Sequence, residues 1–80
     1  MLFLIEYDRV RELLISLQSF DGDDSMKAQQ TRLALEIDLN HKSVRHEVVL
    51  LEASDEKALR RTHRRYFENL KELADTSALA

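Results

Sequence analysis

The densest chemistry in the sequence is the run Arg60-Arg61-Thr62-His63-Arg64-Arg65-Tyr66. On a helix, Lys57, Arg60, Arg61, Arg64 and Arg65 form a basic surface able to contact phosphates, because Lys and Arg gain affinity by displacing condensed counterions. Tyr66 and Phe67 lie beside it, and aromatic rings can stack on bases. The same spacing has a plainer meaning. Glu56–Arg60, Arg64–Glu68 and Glu68–Lys71 are i,i+4 or i,i+3 pairs of a solvated helix. Long Arg stems also cover apolar surface. Tyr66 shares the apolar face with Leu59, Leu70 and Leu73, which makes it a core residue by pattern. The chain carries twelve Lys+Arg against fifteen Asp+Glu, and that acidity favours the solvated helix.

The histidines are His41, His46 and His63. None forms a His-x-x-x-His or Glu-x-x-His pair on one helix, so no metal centre is expected. His41 and His46 flank a turn, where exposure is expected. His63 adjoins Leu59, Tyr66 and Leu70, so His63 and Tyr66 mark a partly buried polar site. With a carboxylate neighbour His63 could act as a base or a pH-sensitive contact; the simpler reading is a packed ring at the helix margin. Asp21, Asp23 and Asp24 lack the ligand spacing of a calcium loop and read as a helix-start loop. Glu6 interrupts an apolar strand and could meet an Arg. The serines lack the Gly-x-Ser-x-Gly context of a strained nucleophile turn. No catalytic residue and no cofactor is expected.

Composition narrows the classes further. The chain has 80 residues, no Cys, no Pro, no Trp and one Gly. Without Cys there is no disulfide framework, thiolate metal site or cysteine nucleophile. Gly22 alone cannot make a Gly-rich phosphate loop. The apolar run from Met1 to Ile5 stops at Glu6, too short for a signal peptide or a membrane helix. A cytoplasmic location, without membrane attachment, is the expectation. The charge is uneven: residues 1–40 hold four basic and eight acidic groups, and residues 41–80 hold eight and seven.

These side chains need elements to hold them. Residues 2–7 favour a strand, with Leu2 and Leu4 on one face and Phe3, Ile5 and Tyr7 on the other. Residues 13–20 fit either a strand or a helix, since Val10, Leu13, Leu14 and Leu17 follow the helical period; the strand is preferred because the first strand needs a partner. Asp21 to Ser25 form a loop. A helix over about 25–40 follows, although Leu33, Leu35, Ile37 and Leu39 also alternate as a strand would. As a helix it is apolar on two sides: Ala28, Leu35 and Leu39 on one, Met26, Leu33 and Ile37 nearly opposite. Residues 46–53 are the best strand. Ser54 is expected to cap a last helix running to about Ala74, with Asp55 and Glu56 in its first turn.

This order predicts one α+β domain over residues 1–74, with a flexible tail at 75–80. The architecture is a two-layer ββαβα fold. Its three-stranded, mainly antiparallel sheet has order 2-1-3, with both helices on one face. So small a chain buries only about 60–65% of its unfolded surface. An open sheet face and the two-sided helix then call for a second chain, with Met26, Leu33 and Ile37 as the contact surface. The function expected is a non-catalytic interaction or oligomerisation module, with self (a homodimer) or another protein as partner. The alternative is a nucleic-acid-binding module using the basic helix face.

Overall fold

The computed structural model describes residues 1–68. Strand β1 spans Leu2–Asp8, β2 Leu13–Phe20 and β3 Glu47–Glu52; helix α1 spans Ser25–His41 and α2 Glu56–Thr62. Single 3-10 turns occupy Gly22–Asp24 and Arg64–Tyr66. The sheet order is β2-β1-β3, and β1 is antiparallel to both neighbours. The fold is therefore α+β, with the expected ββαβα order. Both ambiguous segments resolve as preferred: residues 13–20 form a strand and residues 33–39 are helical.

β1 occupies the centre because it is apolar on both faces. Phe3, Leu4 and Ile5 are almost wholly buried. Phe3, Ile5 and Tyr7 pack with Leu59, Tyr66 and Phe67, flanked by Leu14, Leu17, Val49, Leu51 and Ala53. The opposite face, carrying Leu4 and Glu6, lies under α1, which packs over β1 and β3. Ala28 and Leu39 are the buried residues of that helix.

The helices thus cover opposite faces of the sheet, where the sequence led us to place both on one. A central strand with apolar groups on each side needs cover on each side. Consequently both faces of β1 are covered, and the exposed apolar stripe of Met26, Leu33 and Ile37 lies on α1.

A bulge sets the register of β2. Glu6 pairs with Ser16 and Tyr7 with Leu14, so Ile15 is the extra residue. The bulge carries Leu14 onto the face of Leu17, and it leaves Ile15 partly exposed. A strict period of two would have grouped Leu13, Ile15 and Leu17 instead.

The turns are made without glycine freedom. Glu12 and Ser43 have φ of 54° and 57°, whereas Gly22 has none of the left-handed geometry that only glycine adopts easily. Ser43 ends α1 in a Schellman motif: Val44 N–H donates to Leu39 C=O at 2.9 Å and Ser43 N–H to Asn40 C=O at 3.1 Å. Helix α2 is shorter than expected, because its hydrogen bonding ends at Thr62 and His63 leaves helical geometry at φ −124° and ψ 53°. Its N-cap is Asp55 and not Ser54: the Asp55 carboxylate accepts from Ala58 N–H at 2.7 Å. Leu70, Lys71, Leu73, the boundary at Ala74 and the tail at 75–80 lie outside the described residues.

Candidate functional site

Three surfaces gather the chemistry. The first is a cleft of about 450 Å³ lined by Lys57, Arg60, Arg61, Arg64, Phe67 and Glu68. α2 supplies Lys57, Arg60 and Arg61, and the following 3-10 turn swings Arg64 to the same side. Phe67 packs into the core, and the Arg60 guanidinium lies 4.8 Å from its ring centroid. Arg60 also meets Glu56 at 3.6 Å. Lys57, Arg61 and Arg64 are exposed and have no ion-pair partner among the described residues.

Arg65 does not join that cleft, although it neighbours Arg64 in sequence. The 3-10 turn points it the other way, where its Nη2 donates to Glu47 Oε2 at 2.6 Å and to the Tyr66 hydroxyl at 2.7 Å. The Tyr66 hydroxyl itself donates to Glu47. Arg9 approaches the same carboxylate at 3.8 Å. The Tyr7 and Tyr66 rings meet edge to face at 5.1 Å, and Arg65 sits 4.3 Å from the Tyr66 centroid. Burial, with the Glu47 carboxylate beside it, raises the Tyr66 hydroxyl pKa above its ordinary value. Tyr66 is therefore a core residue with a satisfied hydroxyl. His63 is separate from it: its Nδ1 lies 2.9 Å from Thr62 Oγ1, and it does not line the basic cleft.

The opposite sheet face holds a second polar cluster. Glu6 and Asp8 are each only 8% exposed. His46 lies between them, with Nδ1 2.5 Å from Glu6 Oε2 and Nε2 3.6 Å from Asp8 Oδ2. A carboxylate only accepts, so the imidazole donates to Glu6. Asp8 Oδ1 also accepts from Val10 N–H at 3.0 Å and Arg11 N–H at 3.1 Å, which closes the β1–β2 turn. The Arg11 N–H first, and then Val10 N–H, His46 and the Arg11 guanidinium, hold the Asp8 pKa below its ordinary value against its burial.

Sequence reasoning missed this cluster. His46 is half-buried and not exposed at a turn, and Glu6 meets a histidine where an arginine was expected. Glu6 pairs with Val48 across the sheet. The period of two then puts His46 on the same face, a relation visible only once the register is known. Among the described residues no group of three His, Asp or Glu side chains has the arrangement of a metal site.

The third surface is the outer side of α1. Met26, Leu33 and Ile37 are 74%, 55% and 51% exposed, and they follow one another at i, i+7 and i+11. Lys27 and Asp38 run along one flank of this stripe, near its two ends. Asp38 also accepts from Lys42 at 2.9 Å. No described helix is long and apolar enough to cross a membrane. The sequence matches no protein-family model, and no curated protein or solved structure shows significant similarity to it.

Proposed function

We propose that the chain is a small non-catalytic module that self-associates through the outer face of α1. The observation that carries this reading is the exposed stripe Met26, Leu33 and Ile37. A helix whose other side is already seated on a sheet gains nothing from such a stripe in water, whereas covering each side chain is worth up to about 1.5–3 kcal/mol.

The occupant that fits is a second copy in antiparallel orientation. A two-fold axis crossing α1 near its middle sets Met26 against Ile37 of the other copy. It also brings Lys27 of each copy towards Asp38 of the other. Parallel pairing would carry that flank to opposite sides of the seam in the two copies, so that Lys27 and Asp38 would not meet across it. One helical stripe buries less than the about 1,200 Å² of a typical stable interface, so the dimer is a weak one, in the micromolar range.

The non-catalytic reading rests on the missing Cys, the single Gly and the structural employment of Glu6, Asp8, His46, Glu47 and Tyr66. The lack of Cys suits a reducing compartment, and we place the module in the cytoplasm. Sedimentation equilibrium tests the proposal, since a reversible monomer–dimer distribution is expected.

A further inference from the structure

From the cleft over Phe67 we infer that this chain also binds single-stranded nucleic acid. The site lies on the other side of the sheet from α1, so it goes beyond the self-association proposed above and is independent of it. Lys57, Arg60, Arg61 and Arg64 surround one cleft. Elsewhere Arg9, Arg11, Arg32, Lys42 and Arg65 each meet a carboxylate within 4 Å, while Lys27 on α1 and Arg45 before β3 lie exposed outside the cleft. Among the described residues Lys57, Arg61 and Arg64 have no ion-pair partner, and Arg60 has an exposed one to Glu56. Among the described residues Glu68 is the one acidic residue lining it. A repeating anion answers this arrangement better than a single carboxylate does, because each phosphate engaged releases a counterion.

The preference for an unpaired strand comes from Arg60. Its guanidinium rests over the Phe67 ring at 4.8 Å, while the side chain stays 42% exposed. The guanidinium thus rests on an aromatic ring while part of the side chain stays in solvent. Bases stack on such planes, and only unpaired bases offer their faces. α2 has seven residues and is followed by a 3-10 turn, too short a helix to lie along a duplex groove as a recognition helix does.

The test is fluorescence anisotropy of a labelled oligothymidylate with the full chain, from low to physiological salt. Binding is expected, with log K falling linearly against log salt at a slope of about −2 to −3, as for three or four phosphates on a single strand. Arg61→Glu with Arg64→Glu is expected to lower affinity by about 100-fold or more at low salt with an unchanged circular dichroism spectrum. Arg60→Lys keeps the charge but loses the plane, and a loss of about fivefold or more is expected. Lack of binding at low salt, or affinity indifferent to the Arg61 and Arg64 reversals, overturns the inference. So does a polyglutamate that binds as tightly as the oligonucleotide, or a matched duplex that binds more tightly.

Discussion

The Tyr66 hydroxyl donates to the Glu47 carboxylate, tying the segment after α2 to the first residue of β3. The bond does locally what a longer α2 would have done: it fixes the segment carrying Tyr66 and Phe67 over Phe3, Ile5 and Tyr7. It also pulls Arg65 to Glu47 and away from the other basic residues. One carboxylate thereby divides the basic run into a structural part and a free part.

Tyr66→Phe removes that hydroxyl while keeping the ring. The expected cost is about 1–3 kcal/mol in urea unfolding, because a hydrogen bond to a charged group is lost and Glu47 keeps Arg65 and Arg9 as partners. The pH dependence has a definite sign. The folded hydroxyl pKa is raised above its ordinary value of 10.0. The unfolded chain therefore loses this proton first as pH rises, and stability falls from about pH 10 upwards. Tyr66→Phe is expected to flatten this alkaline loss relative to the parent. An unchanged slope contradicts the assignment.

Asp8 acts at the other end of the pH scale. Its folded pKa is held below 3.8, mainly by the Arg11 backbone N–H. Its contribution is present above about pH 4 and is lost as pH falls through the lower, folded value. Asp8→Asn retains an acceptor for the turn but cannot titrate. Its acid unfolding curve is expected to be shallower than the parent's below pH 4, as read by circular dichroism.

Two backbone positions test the local geometry. Asp55→Ala removes the cap of α2 and is expected to cost about 0.5–2 kcal/mol. Ser43→Gly places glycine at the left-handed position of the Schellman motif and is expected to stabilise by about 0.5–1 kcal/mol. Thermal unfolding reads both, with opposite shifts in Tm. A destabilising Ser43→Gly would contradict the positive φ.

The orientation of the proposed dimer has its own signature. Lys27→Asp and Asp38→Lys should each weaken association severalfold, and the double swap should restore it, as for facing charges of opposite sign. A double swap no better than the singles contradicts antiparallel pairing.

Much of this fold was legible because β1 and β3 announce themselves as apolar runs and the loop at Asp21 to Ser25 stands apart. The α1 face containing Ala28 and Leu39 was equally plain, and so was its exposed counterpart. What the sequence hid depended on register and on single backbone angles. His46 meets Glu6 only because Glu6 pairs with Val48. Arg65 leaves the basic surface only because α2 stops at Thr62. The side of the sheet taken by α2 was misjudged because β1 was recognised as apolar on both faces while one face was still left bare.

Self-association through α1 is tested most directly by sedimentation equilibrium from about 1 to 200 µM, comparing the parent chain with Leu33→Glu/Ile37→Glu. Both substitutions fall on exposed positions, so the fold should survive, as circular dichroism will check. The parent is expected to shift from one chain mass towards two with a midpoint in the micromolar range, while the double variant stays at one. A parent that remains monomeric through about 200 µM, or a variant that dimerises as well as the parent, contradicts the account.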